Sequence, residues 1–228
     1  MIFHLACDYD ETLASGGQVG AAGRDALARL KSSGSKAILI TGRELEDLAT
    51  VFSELALFDL VVAENGAVLH RPADGYTRSL AAPPVPRLLD KLRQRGVQPL
   101  RAGRAIVATT QTHYCEVRQA ILEVGLPLEI ILNRTSLMVL PHGVDKSTGF
   151  KWALKELEIS AQSVVGVGDA ENDAPFLELC GCSVAVANAI PEIRQAVDFV
   201  TDQPSTSGVI ETIAKIMTGE LCMGRTVR

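Results

Sequence analysis

Short runs of consecutive aliphatic residues recur in the first third and the last third of the chain. Each run ends in small or polar residues and leads into a stretch with helical spacing of apolar positions. Uninterrupted Val, Ile and Leu runs of this length are typical of strands buried on both faces of a parallel sheet. Together with an apolar run at the start of the chain, the predicted strands are 36–41, 58–63, 163–168 and 183–186. Strands that alternate with helices predict an α/β fold with a doubly wound parallel sheet.

The middle of the chain has a different pattern. A proline-rich run, 81–86, predicts a linker, and the order helix, strand, strand then occurs twice. The predicted elements are helices over 87–95 and 113–124 and strands over 97–100, 104–109, 128–132 and 136–140, with a hairpin turn at 133–135. We therefore predict a core domain made of residues 1–80 and 144–228, with a small α+β domain, 81–143, inserted into it.

Composition and charge narrow the classes of partner. The 228 residues carry 22 Lys and Arg against 27 Asp and Glu, a formal net charge of −5, without a run of five basic residues. This balance argues against a nucleic-acid partner and against an anionic membrane. No apolar run reaches the ~18 residues that a membrane span needs, and the start of the chain does not resemble a secretion signal. We therefore expect a cytoplasmic protein.

Two carboxylates, Asp8 and Asp10, follow the first apolar run. In an extended chain, residues i and i+2 point to the same face, so two like charges would be directed at one spot. Such a pair is costly unless a cation lies there or one carboxyl group is protonated. The alternative is purely structural, with Asp10 as a turn residue and Asp8 as the cap of a strand.

Polar residues follow other predicted core strands as well. Residues 41–43 (Thr-Gly-Arg) come after the second strand, and residues 169–173 (Asp-Ala-Glu-Asn-Asp) come after the strand at 163–168. Lys146 lies between the inserted domain and the helix that precedes this strand. Ligands of open α/β sheets bind beyond the carboxyl ends of the strands. We therefore expect all these groups to share one crevice with the first carboxylate pair.

The chemistry of this set favours a metal ion and a phosphate. Carboxylate oxygens, a backbone carbonyl and waters suit Mg²⁺, which also bridges to phosphate. Asp8 would attack phosphorus to form an acyl phosphate, and Asp10 would protonate the leaving oxygen and later deprotonate a water. Thr41 and Lys146 would stabilise charge on the transferred phosphoryl group.

Four segments resemble, in order, the four motifs of the haloacid dehalogenase (HAD) superfamily. They are 8–13 (Asp-Tyr-Asp-Glu-Thr-Leu), 41–43, Lys146 and 168–173 (Gly-Asp-Ala-Glu-Asn-Asp). The inserted domain resembles the type IIB cap of Cof-type and of sucrose- or mannosylglycerate-phosphate phosphatases. Residues 64–67 (Glu-Asn-Gly-Ala) are similar to a segment of that subgroup. The resemblance implies a HAD-like Rossmannoid core with a cap domain.

The resemblance also implies a role for each matching residue. Asp8 is the expected nucleophile and a metal ligand, Asp10 is the expected general acid and base with its backbone carbonyl on the metal, and Lys146 is a catalytic residue. The other matches are Asp169 as a metal ligand, Asn172 and Asp173 at positions that support the metal and Lys146, and Thr41 and Gly42 at the phosphate. We count Asp173 among the metal ligands and Asn172 among the substrate-binding residues. Arg43 is predicted to bind substrate, with solvation of the helix start as the alternative. Glu11 departs from the family pattern, which has glycine at this position.

We therefore predict a Mg²⁺-dependent phosphatase that hydrolyses a small phosphomonoester, a sugar or other metabolite phosphate, through an aspartyl-phosphate. A phosphosugar mutase is the nearest alternative, and a non-catalytic phosphometabolite-binding module is the alternative from another class. Dehalogenase chemistry is disfavoured because it would leave Asp10 and Asp169 without a use. The expected partner is a small phosphorylated metabolite, and the expected state is a monomer or a dimer.

Overall fold

The computed structural model of the protein describes residues 3–221 and contains two β-sheets with helices packed on them. The strands are β1 His4–Asp8, β2 Ala37–Ile40, β3 Leu60–Ala63, β4 Val68–Arg71, β5 Tyr76–Ser79, β6 Arg101–Ala102, β7 Val107–Thr110, β8 Leu128–Asn133, β9 Ser136–Pro141, β10 Val164–Gly168, β11 Cys182–Ala185 and β12 Phe199–Val200. The α-helices are α1 Ala21–Ser32, α2 Leu45–Val51, α3 Pro86–Gln94, α4 Tyr114–Val124, α5 Lys146–Leu157, α6 Ala174–Leu177, α7 Pro191–Ala196 and α8 Ser205–Thr218.

The larger sheet has the strand order β12-β11-β10-β1-β2-β3-β4-β5. The strands from β12 to β3 are parallel, whereas β4 and β5 form an antiparallel hairpin at one edge. Every residue of β2, β3 and β10 is buried. Because successive side chains point to opposite faces, both faces of these strands are covered. The predicted doubly wound α/β architecture is confirmed.

The second sheet has the order β6-β7-β9-β8 and is antiparallel throughout. It packs with α3 and α4 around an apolar cluster separate from the main core, including Leu88, Leu92 and Val117. We call this unit, residues 86–141, the cap. Its elements all lie inside the predicted inserted domain, and the exact domain boundaries stay a prediction.

The strand predicted over 97–100 is wrong, since the edge strand of the cap is β6. The backbone N–H of Val97 donates to the carbonyl of Leu92, and its side chain is fully buried in the cap cluster. Val97 therefore belongs to the turn that closes the C-terminal end of α3, and it does not start a strand. Pro99 has no N–H group that could bond to a neighbouring strand.

Among residues 3–221, no helix is both long and apolar enough to cross a membrane.

The hairpin of β4 and β5 did not follow from the hydrophobic pattern. Its outer strand, Tyr76–Ser79, is mostly exposed and carries polar side chains, so it lacks the apolar run that marks the buried strands.

The segment between β3 and β4 has an unusual backbone conformation. Glu64, Asn65 and Gly66 all have positive φ, at 51°, 54° and 104°. A Cβ atom on Gly66 would lie 1.7 Å from the carbonyl oxygen of Asp145, so only glycine allows this approach.

Candidate active site

The carboxyl ends of three neighbouring strands bring the predicted motifs together. β1 lies between β10 and β2, and all three are parallel. Asp8 ends β1, Thr41 follows β2 and Asp169 follows β10. All three residues are buried, with at most 4% of their surface exposed. The shared edge that the sequence predicts is therefore present, and it lies beneath the cap.

Lys146 joins two of the buried carboxylates. It is the first residue of α5, and its ammonium donates to Asp8 Oδ1 at 2.5 Å and to Asp173 Oδ1 at 2.6 Å. Burial alone would lower the pKa of Lys146, but the two carboxylates outweigh this effect and raise it. Asp145, the N-cap residue of α5, accepts the backbone N–H of Thr148 at 3.0 Å. This bond fixes the start of the helix that carries Lys146.

Asp173 braces the loop after β10. Its Oδ2 accepts the backbone N–H groups of Asp169 and Ala170 at 2.8 and 3.0 Å. Gly168 is tightly packed here, because a Cβ atom at this position would lie 2.7 Å from the carboxyl carbon of Asp173. One carboxylate therefore holds both Lys146 and the backbone that presents Asp169.

The three buried carboxylates have the chemistry of a site for a hard cation. Asp8, Asp169 and Asp173 offer oxygens that all lie within 4.8 Å of one another. Burial raises the pKa of Asp8, and the charges of Asp173 and Asp169 raise it further, whereas Lys146 opposes the rise. Burial and the neighbouring Asp173 also raise the pKa of Asp169. A divalent cation among these oxygens would offset the repulsion, so the residues present fit a Mg²⁺ site.

Asp10 lies apart from this buried group, with its side chain 38% exposed. Arg43 donates to both of its oxygens, from Nε at 2.8 Å to Oδ2 and from Nη2 at 2.8 Å to Oδ1. The guanidinium also donates to Asp47 at 2.6 Å and lies over the ring of Tyr9. The hydrogen bonds to Asp10 are the largest cause of the raised pKa of Arg43. Arg43, predicted as a substrate contact, therefore lies at the cavity and is paired with Asp10 in this structure.

Thr12 and Glu11 complete the turn after Asp10. The hydroxyl of Thr12 donates to Asp169 Oδ1 at 2.8 Å, a contact that the sequence analysis did not identify. Glu11 has φ +57°, a conformation in which glycine is favoured, and its carbonyl accepts hydrogen bonds from Asn188 and Ser205. These bonds hold the turn in place with glutamate where the HAD pattern has glycine.

Asn172 links the loop after β10 to the segment after β3. Its amide donates to the side-chain oxygen of Asn65 at 2.8 Å, and the backbone N–H of Asn65 donates to the carbonyl of Thr41 at 2.9 Å. Gly42 lies beside this pair, since a Cβ atom there would be 3.9 Å from the amide nitrogen of Asn172. The predicted phosphate-binding segment is thus tied to both neighbouring loops.

A cavity of about 340 Å³ separates these groups from the cap. On the core side it is lined by Asp8, Asp10 and Gly42, among others, and on the cap side by residues of β7 and of the β8–β9 hairpin, including Thr109 and Arg134. The cap therefore covers the crevice at the strand ends to form a chamber that stays partly open to solvent and has both polar and apolar walls.

Glu64 fastens the cap to the core. This fully buried carboxylate accepts the backbone N–H of Arg104 on Oε1 at 2.8 Å, and those of Ala105 and Ile106 on Oε2 at 2.7 and 3.0 Å. Its own N–H donates to the carbonyl of Arg43 at 2.9 Å. A loop of the cap is thus bonded to the segment that carries the predicted phosphate-binding residues. The sequence analysis noted residues 64–67 but assigned no role to Glu64.

We expect Glu64→Gln to lower the free energy of unfolding by about 1–3 kcal/mol, because an amide NH₂ would replace an acceptor that faces buried N–H donors. The KM of the substrate should rise, and amide hydrogen exchange of residues 104–106 should accelerate. Glu46→Gln is the matched control, since Glu46 is an exposed partner of Arg104 and should contribute less than about 1 kcal/mol. Equal effects of the two substitutions would contradict this role of Glu64.

A comparison with known protein families supports the membership that the motifs indicate. A family model described as haloacid dehalogenase-like hydrolase matches residues 5–119 and 108–213. The chain belongs to this family. The predicted membership of the HAD superfamily is thereby confirmed.

Similar proteins of the family cover nearly the whole chain. A phosphoglycolate phosphatase of Pyrobaculum aerophilum is 29% identical over 227 residues, which are 96% of this chain and 97% of that protein. A Thermoplasma acidophilum structure has a TM-score of 0.81 at 18% identity, with 95% and 99% of the two chains covered. A HAD subclass IIB sugar phosphatase has a TM-score of 0.74 at 18% identity, with 95% and 99% covered. The predicted enzyme class, a phosphoric monoester hydrolase, is confirmed by the family and by relatives such as this phosphoglycolate phosphatase.

Proposed function

We propose that this HAD hydrolase is a Mg²⁺-dependent phosphatase that removes the phosphoryl group of a small metabolite phosphate through an aspartyl-phosphate on Asp8. The observation that supports this most strongly is the position of Lys146 between Asp8 and Asp173. Lys146 holds the carboxylate of Asp8 in a fixed position among other buried carboxylates. A carboxylate held in this way suits the role of a nucleophile that attacks an anionic phosphoryl group. The cavity above Asp8 leaves room for a small substrate.

The proposed reaction has two steps. An oxygen of Asp8 bonds to phosphorus while the bond from phosphorus to the leaving oxygen breaks, and Asp10 gives its proton to that oxygen. Asp10 then takes a proton from a water whose oxygen attacks phosphorus, and the bond between Asp8 and phosphorus breaks. Lys146 keeps Asp8 in position through both steps. Asp10 carries the proton of the first step once one of its oxygens leaves Arg43, which donates to both of them in this structure.

The remaining residues of the site would bind the phosphoryl group and the metal. Thr41 and Gly42 would hold phosphoryl oxygens, with Asn172 supporting this segment. Asp8, Asp169 and Asp173 would hold Mg²⁺ together with the backbone carbonyl of Asp10. When bound, Mg²⁺ supplies positive charge that shields the anionic phosphate from the attacking carboxylate.

Phosphoglycolate is the first substrate to test, because several relatives that align with most of this chain carry the name phosphoglycolate phosphatase. We expect the purified protein to release inorganic phosphate from phosphoglycolate or from another member of a panel of metabolite phosphates. Release should require Mg²⁺ and stop on addition of EDTA, because the carboxylates would then repel the anionic substrate.

Three outcomes would contradict this proposal. Failure of the folded protein to release phosphate from any compound in Mg²⁺ would contradict the activity. Release unaffected by EDTA would contradict the metal. Conversion of a hexose 1-phosphate into an isomer without free phosphate would favour a mutase instead.

A further inference from the structure

Arg134 reaches from the cap into the buried group of carboxylates. Its Nη2 and Nε donate to Asp169 Oδ2 at 2.5 and 3.0 Å. The same guanidinium donates to the carbonyl of Asn188 at 3.2 Å, and the backbone N–H of Arg134 donates to Glu171 at 3.3 Å. The side chain also lines the cavity above Asp8. A cation of the cap thus lies at the wall of the chamber in which the reaction is proposed to occur.

The backbone holds Arg134 in this place against its own preference. Arg134 and Thr135 form the two-residue turn between β8 and β9, and Arg134 has φ +50°. This conformation favours glycine or asparagine and disfavours an arginine. The side chain of Gln111 donates to the carbonyl of Arg134, and its backbone N–H donates to that of Thr135 at 2.9 Å. Strain that is held in place by neighbouring bonds is typical of functional positions.

The contact between Arg134 and Asp169 competes with a metal ion. The guanidinium of Arg134 and a metal ion would both need an oxygen of Asp169. Two positive charges a few ångströms apart also repel each other strongly in a buried site. A divalent cation bound to Asp169 would therefore free the guanidinium. Because Gln111 still holds the tip of the hairpin, the freed charge stays at the wall of the chamber and faces the substrate.

The phosphoryl group already has its own partners in the proposed site, namely Thr41 and Gly42. Arg134 is a cation outside this pair, and it lines the cavity from the side of the cap. Its planar guanidinium can pair with both oxygens of a carboxylate. In this structure its Nε and Nη2 both donate to the single oxygen Oδ2 of Asp169. The substrate is thus expected to place an anionic group where the carboxylate of Asp169 now meets Arg134.

We propose that Arg134 binds a carboxylate of the substrate, and that it exchanges Asp169 for this carboxylate when the divalent cation binds. The inference rests on the proposed phosphatase function and names its substrate class. The class is therefore a phosphorylated carboxylic acid, whose phosphoryl group and carboxylate both lie in the cavity lined by Asp8 and Arg134.

The first experiment compares phosphoglycolate with 2-hydroxyethyl phosphate, which has CH₂OH in place of the carboxylate. We expect Arg134→Gln to lower kcat/KM for phosphoglycolate about 100-fold, mainly through KM, since a charge-assisted pair is lost. Turnover of 2-hydroxyethyl phosphate should change less than about 3-fold, because its hydroxyl gains little from the charge of Arg134. Arg134→Lys should restore part of the preference because it keeps the charge. Arg118→Gln, at an exposed position of α4, is the control and should change neither substrate.

The second experiment measures Mg²⁺ binding alone by calorimetry. Removal of a competing cation should make Arg134→Gln bind Mg²⁺ several-fold more tightly than the unsubstituted protein or Arg118→Gln. Should Arg134→Gln not fold, Arg134→Asn provides both comparisons, because asparagine removes the charge and tolerates the positive φ of this turn position.

Equal losses for the two substrates would overturn the assignment of a carboxylate site. Unchanged Mg²⁺ affinity would overturn the exchange at Asp169. Either result would leave the proposed phosphatase function standing if the unsubstituted protein still releases phosphate in Mg²⁺. The absence of release from every phosphate tested would instead remove the proposed function itself.

Discussion

Asp8→Asn is expected to lower phosphate release by at least about 10⁴-fold, because an amide lacks the negative charge and nucleophilicity that the attack on phosphorus needs. The substitution keeps the shape of the side chain, and Lys146 keeps Asp173 as a charged partner. The folded structure should therefore survive. Initial rates of phosphate release in saturating Mg²⁺, measured with the best substrate of the panel, check this expectation.

A matched control separates this effect from the general loss of a carboxylate. Asp25 lies exposed on α1, away from the cavity, so Asp25→Asn should keep the full rate. Circular dichroism of both variants verifies the fold. An Asp8→Asn variant with activity within tenfold of the unsubstituted protein would contradict the assignment of the nucleophile.

Lys146→Met should lower both stability and activity. It leaves Asp8 and Asp173 buried beside each other without the ammonium between them, and the loss of one partner from a buried ion pair costs about 3–5 kcal/mol. Phosphate release should fall by at least about 100-fold, because Asp8 loses the group that orients it. Urea unfolding at neutral pH without metal, together with the rate in Mg²⁺, measures both effects.

The pH dependence of this stabilisation has a defined sign. The pKa of Lys146 is raised above its usual value of 10.5, so the charged form is favoured by folding. The stabilisation is fully present below that usual value and is lost only as the pH rises through the higher pKa of the folded state. Lys146→Met should therefore show its full cost at neutral pH.

Lys151 provides the control for this substitution. It lies exposed on the same helix, α5, and Lys151→Met should change the free energy of unfolding by less than about 0.5 kcal/mol. A cost below about 1 kcal/mol for Lys146→Met would contradict the electrostatic role given to this lysine.

The convergence of Asp8, Thr41 and Asp169 could be predicted from the sequence because it depends on local rules. Uninterrupted apolar runs predict buried parallel strands, and the carboxyl ends of such strands meet at one edge. The position of Lys146 depended on the resemblance to the HAD motifs. A lysine at the start of a helix is ordinarily exposed, and only its tertiary partners, Asp8 and Asp173, show why this one is fully buried.

The contacts between the cap and the core were beyond sequence reasoning. Arg134 was predicted only as part of a hairpin turn, and its partner Asp169 is 35 residues away. Glu64 likewise meets backbone N–H groups about 40 residues further along the chain. Neither contact is accompanied by a periodic pattern of apolar residues or by a short spacing between its partners, so the sequence does not reveal it. A charged residue at positive φ is the signal that the two positions share, and it becomes visible only in the structure.

Arg43 illustrates the same limit within the core. Its place next to Thr41 and Gly42 indicated a substrate contact, which stays a prediction, since Arg43 lines the cavity. Its hydrogen bonds to Asp10 and Asp47 were not predicted. The spacing of residues along a chain predicts which loop a side chain leaves from. It does not predict which of several nearby partners the side chain chooses.

Trapping of the phosphoenzyme tests the central claim most directly. The protein is mixed with substrate and Mg²⁺, quenched in acid within the first turnovers, and digested for mass spectrometry of the peptide that contains Asp8. The account predicts one phosphoryl group on Asp8, removable by hydroxylamine and absent from Asp8→Asn. Steady turnover with no phosphoryl group on Asp8, or with the group on another residue, would contradict it.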